Sequence, residues 1–324
     1  MITYTKLTYR PEVACSLIGM SLPAFDKLYE DFEEAHAQRR QTMSQTRRTR
    51  QARQRAVGAG RRHSYSLRDR LLMTLFWLRV YTTYAVMGFL FDLDPTNVED
   101  NIKDVLATLE QMSSFSYERP ATEPRKLRSA AAVMDAFPDV RLVIDAKEQR
   151  IQRPKPGKDN DGTPQDRQKP YYSGKKKTHT LKNQVGVAPD GHIEAVSASV
   201  PGGATHDLTL LRQTHLLAHL DEGEAAMFDK GYDGIRNDFP NLTLYLPYKA
   251  RRNHPLTPEQ KAYNRHLSKY RIVVEHTIAQ LHKFQVLAQL FRHARTAHTQ
   301  IFRIVAALVN RQIHATPLKS YAAA

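Results

Sequence analysis

At about Val140 the sequence changes from helical periodicity to runs of strand composition, and the order of those runs limits the fold more than any other feature. The stretches VRLVIDAKEQRI, KTHTLKNQVGVAP and GHIEAVSASVPG read as successive strands, with Pro189-Asp190-Gly191 marking a hairpin between the last two. THDLTLLRQTHLLAHL then reads as a helix, EAAMFDKGYDG as a fourth strand with its turn, and LTLYLPYK as a fifth. A long helical segment, TPEQKAYNRHLSKYRIVVEHTIAQLHKFQVL, precedes a last apolar helix around IFRIVAALVNRQI. Three antiparallel strands, a helix, two further strands and flanking helices describe an α/β layered domain.

Two of the apolar runs end on a carboxylate, Asp145 in LVIDA and Asp229 in AAMFDKGYDG. Glu275 lies beside the helical stripe of Tyr270, Val274, Ile278 and Leu281, from which a helix packed on the sheet can aim it at the strand ends. Taken singly each acid has an ordinary use. An Asp after a strand commonly caps a turn, Glu275 can pair with Arg271 one turn earlier, and Asp207 suits a first helical turn as well as a fourth ligand position. Brought together in an apolar surround, the three acids repel one another unless cations neutralise them. All-oxygen ligands of that kind select hard divalent metal, Mg²⁺ or Mn²⁺, and two such ions serve in-line attack on a phosphodiester. The histidines of HDLTLLRQTHLLAH lack the His-Glu-x-x-His spacing of a zinc helix.

The 48 Lys and Arg against 33 Asp and Glu give a formal charge of +15 over 324 residues, an excess that points to a polyanionic partner, with nucleic acid foremost. The single cysteine, Cys15, excludes an internal disulfide and a cysteine-built zinc site and fits a reducing, cytoplasmic setting. No secretory signal is expected in MITYTKLTYRPEV. Leu71–Phe91 approaches membrane-spanning length but carries Arg79 and hydroxyls at its centre, so two buried helices and no membrane partner are expected.

Ahead of Val140 the chain reads as helices. SLPAFDKLYEDFEEAHAQRR spaces Phe25, Leu28, Tyr29 and Phe32 on one face, while Ala35 to Arg68 holds no acid and supplies Arg47, Arg48, Arg50, Arg53 and Arg55 as a solvated linker or a DNA-backbone contact. SLRDRLLMTLFWLRVY is a helix capped by Ser66, TTYAVMGFLF a short one, and DPTNVEDNIKDVLATLEQM a third with the capping-box pattern Thr96-x-x-Glu99. Helix, tight turn, helix fits a DNA-reading unit, whereas Glu99, Asp100 and Asp104 favour a dimerising bundle. The expected divisions are 1–38, a helical segment; 39–63, a basic linker; 64–115, a helix-turn-helix-like domain; 116–138, a connector; 139–315, the catalytic domain; and 316–324, a tail.

The order strand Asp, hairpin, helix, strand Asp with Gly-Tyr-x-Gly, then helix Glu with Arg four residues before it, resembles the DDE transposases of the insertion-sequence five group allied to Harbinger elements. The resemblance rests on VIDAKEQRIQRP, QKPYYSGKKKTHTLKNQV, PGGATHDLTLL, FDKGYDG, YKARRNHPLTPEQKAYNRHLSKYRIVVEHTIAQLHKF and FRIVAALVN, which together span most of Val140 to Asn310. LRDRLLMTLFWLRVYTTYAVMGFLF is similar to the helix-turn-helix of the same group. The resemblance implies a ribonuclease H-like fold with a mixed five-stranded sheet flanked by helices, preceded by an all-α region containing a helix-turn-helix. It implies that Asp145, Asp229 and Glu275 are catalytic and hold two Mg²⁺ or Mn²⁺ ions, with Asp207 auxiliary. Related proteins carry Tyr-x-x-Arg-x-x-x-Glu followed by a lysine about two helical turns on. Arg271 and Glu275 match, but Ser268 stands at the tyrosine position, and the lysine position falls on His282, next to Lys283.

The expected DNA contacts are Tyr171, Tyr172, Lys175, Lys176, Lys177 and Lys182 between and along the first two strands, Lys249, Arg251 and Arg252 after the fifth, and Arg271, His282 and Lys283 on the last long helix. The implied activity is hydrolysis at transposon ends followed by strand transfer of the 3′-hydroxyl. Its partners are terminal inverted repeats and target DNA, its assembly a homodimer or larger, and its place the bacterial cytoplasm, on the nucleoid. A nuclease without strand transfer and a domesticated DNA-binding protein are the alternatives.

Overall fold

The structure is a computed structural model, and it describes residues 1–48, 65–112, 137–158, 164–214, 216–221 and 223–315. Arg50, Arg53 and Arg55 lie outside these residues, as do the side chains of Arg47 and Arg48 and the connector and tail segments 116–136 and 316–324. The described chain divides into two compact units.

The first unit is helical: α1 (Tyr4–Thr8), α2 (Ala14–Ile18), α3 (Leu22–Arg48), α4 (Leu67–Val80), α5 (Tyr84–Phe91) and α6 (Pro95–Gln111), together with Lys283–Val286 and Arg303–Val305. Phe25, Leu28 and Phe32 of α3 are buried, as are Leu71, Leu75, Phe76 and Trp77 of α4 and Val98, Ile102, Val105 and Leu109 of α6. The helix α3 runs to Arg48, into the segment expected to be linker, because Gln and Arg are strong helix formers and no Gly or Pro interrupts them. Ser66 caps α4 as expected, accepting a hydrogen bond from the Asp69 amide at 3.1 Å. The cap of α6 differs. Asp94 takes the amide of Thr96 at 2.8 Å and Pro95 occupies the first helical position, so Thr96 and Glu99 lie inside the helix instead of forming a capping box. Between α5 and α6 the chain turns through Asp92, at φ 52°, and a Cβ on Gly88 would stand 2.4 Å from the carbonyl of Leu93, so the turn closes only over a glycine.

Charge also binds this unit. Asp104 on α6 accepts from Arg39 and Arg70 at 2.5 Å each and meets His36 at 3.2 Å, which joins α3, α4 and α6 around one carboxylate.

The second unit is mixed α/β. Its strands are β1 (Val140–Arg150), β2 (Gly157–Lys158), β3 (Pro164–Gln165), β4 (Tyr172–Ser173), β5 (Thr178–Val187), β6 (Ile193–Val196), β7 (Val200–Pro201), β8 (Ala225–Met227) and β9 (Thr243–Tyr245). Its helices are α7 (Asp207–Thr214), α8 (Ile235–Asp238), α9 (Pro258–His282), α10 (Gln285–Ala288, of which Leu287 and Ala288 belong here) and α11 (His298–Ala315). Among the described residues a seven-stranded sheet runs β4-β5-β1-β8-β9, with β6 and β7 also on β5. The β1–β5 pair is antiparallel, while β8 runs parallel to both β1 and β9. The hairpin expected at Pro189-Asp190-Gly191 joins β5 to β6, with Gly191 at φ 91°.

One face of this sheet buries Leu142, Ile144, Ala226, Phe228 and Leu244 against Leu208 and Leu211 of α7. The helix α9 packs against β1 and β5. It starts with a true capping box, in which Thr257 and Gln260 exchange bonds at 3.1 and 3.2 Å. Among the described residues no helix is long and apolar enough to cross a membrane.

Candidate active site

The register of β1 and β8 sets the site. Val143 pairs with Met227 across the parallel ladder, and Asp145 and Asp229 each lie two residues further on. Parity along β1 turns Asp145 away from the face that buries Ile144, and Asp229 leaves the end of the neighbouring β8 at the corresponding position. Asp145 ends the apolar run but not the strand, which extends through Lys147 to Arg150 as the composition of VRLVIDAKEQRI predicts. β1 continues to Arg150 because β5 pairs with it as far as Thr180, while β8 stops at Met227. Asp229 comes after that stop and caps a 3-10 turn, its Oδ1 accepting the Gly231 amide at 2.8 Å.

Asp207, at the start of α7, reaches the same place. A Cβ on Gly231 would stand 2.9 Å from Oδ1 of Asp229 and 3.1 Å from Oδ2 of Asp207, so the missing side chain is what lets the two carboxylates approach. Burial raises the pKa of the Tyr232 hydroxyl, and the charges of Asp207, Asp145 and Asp229 raise it further. Gln184 fixes the arrangement from β5, donating to the Asp207 carbonyl at 2.6 Å and the Tyr232 hydroxyl at 2.9 Å.

Glu275 lines a cleft of about 620 Å³ together with Asp145, Asp207, Lys175, Lys176 and His282. One turn before it, Arg271 places a guanidinium nitrogen 4.0 Å from Oδ2 of Asp145, and its buried Nε has no hydrogen-bond partner. Burial raises the Asp145 pKa; the Ala146 amide and Arg271 oppose the rise, and Asp229 and Asp207 add to it. Among the described residues no three acids, histidines or cysteines form a ready-made metal cage. The all-oxygen donor set suits a hard divalent cation.

The cationic residues divide by environment. Lys175 and Lys176 line the cleft and are exposed, as is Lys177 next to them in the chain. Lys182 is buried, with its ammonium 3.0 Å from Asp207, 3.6 Å from Glu148 and 2.8 Å from the Thr205 carbonyl. Tyr172 is 46% exposed, whereas the ring of Tyr171 lies under Arg295 at 4.7 Å. The imidazole of His282 lines the cleft, and desolvation followed by the charges of Lys147 and Lys176 lowers its pKa to about 4. Lys249, Arg251 and Arg252 are exposed in the loop after β9. Lys283 is exposed and belongs to the helical unit, where its carbonyl accepts from Arg79 at 2.6 Å.

Three residues buried around the site were not singled out from sequence. Gln184 and Tyr232 carry a weak signal, as a polar side chain inside an apolar strand and an aromatic between two glycines. Lys147 carries none: its amine is buried over the Phe302 ring at 5.2 Å, donates to the Leu287 carbonyl at 2.7 Å, and has its pKa lowered by desolvation to about 7.

A family model described as DDE superfamily endonuclease matches residues 144–310, which include Asp145, Asp207, Asp229 and Glu275. The chain belongs to the DDE superfamily endonucleases. This endonuclease is 28% identical over 255 residues to the probable transposase for insertion sequence element IS702 of Microchaete diplosiphon, covering 78% of this chain and 83% of that one. It is 31% identical over 169 residues to the transposase for insertion sequence element IS1106 of Neisseria meningitidis serogroup B, covering 51% of this chain and 53% of that protein. No solved structure matches it.

Proposed function

We propose that this DDE superfamily endonuclease is a DNA transposase of an insertion sequence, one that hydrolyses a phosphodiester at each element end and then joins the freed 3′-hydroxyl to target DNA. The observation that carries the reading is the parallel register that levels Asp145 with Asp229, beside a cleft lined by Asp145 and Glu275. The strand order, three antiparallel strands followed by two parallel ones, supports a ribonuclease H-like core over 139–315.

In this reading Asp145, Asp229 and Glu275 hold two Mg²⁺ or Mn²⁺ ions, and Asp207 assists from α7. When bound, such ions activate the attacking hydroxyl and stabilise the leaving oxygen. The chain's own residues do the rest. Arg271, a guanidinium nitrogen of which stands 4.0 Å from Asp145, binds a DNA phosphate in this reading. Lys182 compensates Asp207 and Glu148 and holds α7 in place. The Tyr232 hydroxyl, kept neutral by its raised pKa, stays a hydrogen-bonding group. Lys175 and Lys176 at the cleft, with Lys177 and Tyr172 nearby in the chain, and Lys249, Arg251 and Arg252 beyond β9, bind phosphates and orient the strand.

The helices α4, α5 and α6 within residues 64–115 act as a helix-turn-helix-like domain, a reading supported by the glycine-dependent closure of the turn between α5 and α6. Two ends must meet, so the working form is a dimer or larger, acting on nucleoid DNA in the cytoplasm. The test is incubation of the full chain with labelled terminal-repeat DNA, target DNA and Mg²⁺. Nicked ends and strand-transfer products are expected, and Asp145→Asn or Asp229→Asn is expected to abolish both. Nicking with no joined product would leave a nuclease, and undiminished cleavage by both variants would refute the site.

A further inference from the structure

A second cavity in the same unit, of about 530 Å³, has no part in the carboxylate chemistry. Its walls carry Lys230, Arg236, Lys249 and Arg251 together with Tyr248 and Tyr263. Asp233 is the one acid lining it, and it pairs with Lys249 at 3.5 Å with both side chains more than half exposed, so water screens the pair and the pocket stays positive.

The aromatic part is held in place before any ligand arrives. The side-chain amide of Asn264 clasps the Tyr248 backbone in both directions, accepting from its N–H at 2.7 Å and donating to its carbonyl at 2.9 Å. Tyr263, one residue before Asn264 on α9, meets the Tyr248 ring edge-to-face at 5.2 Å. Tyr248 is nevertheless 49% exposed. The basic loop is similarly rigid: Arg251 and His254 exchange backbone bonds across a turn in which Asn253 holds φ 65°. A fixed, half-exposed ring among four cations resembles neither a core aromatic nor a solvated surface lysine patch.

We infer that this pocket is a binding site for an unpaired DNA nucleotide, whose base stacks on Tyr248 while Lys230, Arg236, Lys249 and Arg251 take the flanking phosphates. A stacked duplex offers no base face to such a cavity, whereas an extruded or single-stranded base does. The chain connects the two sites directly. Lys230 follows Asp229, and α9 carries Tyr263 and Asn264 about three turns before Glu275. A nucleotide held here is taken to belong to the strand that enters the cleft. The inference rests on the transposase reading and assigns that substrate a second anchoring point.

The experiment uses the full chain in EDTA with two probes of equal length, a blunt duplex and a duplex with a short 3′ overhang containing 2-aminopurine. The overhang probe is expected to bind about tenfold more tightly, with quenching of its fluorescence on stacking. Tyr248→Ala should abolish both the preference and the quench, and Tyr248→Phe, which keeps the ring, should retain both. Equal affinity of the unmodified chain for the two probes overturns the inference, as does a preference unaffected by Tyr248→Ala. Neither result touches the cleavage test with Asp145→Asn, so failure of the pocket and failure of the catalytic reading are told apart.

Discussion

Asp207 and Asp229, from a helix start and a strand end, direct carboxylate oxygens at the same unfilled position beside Gly231, 3.1 and 2.9 Å from where a Cβ would sit. Gly231 is not held at positive φ, so alanine carries no backbone penalty there. The added methyl acts on the carboxylates alone. Gly231→Ala is therefore expected to fold normally while cutting Mg²⁺-dependent cleavage by about 10- to 100-fold, the effect of displacing a ligand by a fraction of an ångström to an ångström. Thermal denaturation and single-turnover cleavage of terminal-repeat DNA check the two halves, and full activity would show that the Asp207–Asp229 approach is immaterial.

The raised pKa of Asp145 yields a pH dependence. Burial raises it first, Ala146 and Arg271 restrain it, and Asp229 and Asp207 raise it further, so the folded value lies above the unfolded one. The sign follows by linkage: Asp145 contributes stability that is complete below the ordinary carboxylate range and is lost as pH rises through the folded pKa. Metal-free protein is expected to lose stability over that interval, and Asp145→Asn to lose less. Mg²⁺ at about 100 times its Kd should restore roughly 2.7 kcal/mol to the unmodified chain and far less to the variant. Denaturation curves at about pH 4 and pH 7, with EDTA or Mg²⁺, measure the slope and its reversal.

Asp104 has the opposite sign. Burial alone raises its pKa, but hydrogen bonds from His36, Arg39 and Arg70 outweigh that and hold it well below the usual range. Its contribution is present above the ordinary carboxylate pKa and disappears as pH falls through the folded value. Asp104→Asn leaves the buried Arg70 and the largely buried Arg39 without their counter-charge and should cost about 2–3 kcal/mol. Urea unfolding at neutral pH gives that number, and the loss should shrink in strong acid, where the unmodified carboxyl is itself protonated.

How much of this was legible depends on the range of the interactions. Asp145 and Asp229 stand out because apolar runs lead into them, and Glu275 because its helix face is periodic, all local patterns. The levelling of the two aspartates is not local; it comes from the Val143–Met227 register, which joins residues separated by a hairpin and a helix. The length of β1 was legible in VRLVIDAKEQRI, whose strand composition runs past Asp145 to the residues that β5 supports up to Arg150. The α6 cap was misread because Thr96-x-x-Glu99 fits a common pattern, whereas Asp94-Pro95 fits the same helix start better. Burial of Lys147 and Lys182 was invisible, because their partners, the Leu287 carbonyl in one case and Asp207 with Glu148 in the other, are set by the fold.

Lysines of one composition can thus have opposite roles, which salt titration separates. Lys175 and Lys176, which line the cleft, and Lys177 next to them in the chain are exposed, and each phosphate they neutralise releases counter-ions and adds about 0.9 to the slope of log affinity against log salt. Replacing all three with alanine should lower that slope by about 2 to 3 while leaving unfolding midpoints unchanged. Lys182 is buried between Asp207 and Glu148, so Lys182→Met should leave the slope alone and destabilise the fold by about 3 kcal/mol through two uncompensated carboxylates. Filter binding of terminal-repeat DNA across a salt series, paired with urea unfolding, reads both effects on the same proteins. An unchanged slope in the triple variant would remove the three lysines from the DNA path, and a slope reduced in Lys182→Met would mean that its charge reaches the DNA despite its burial.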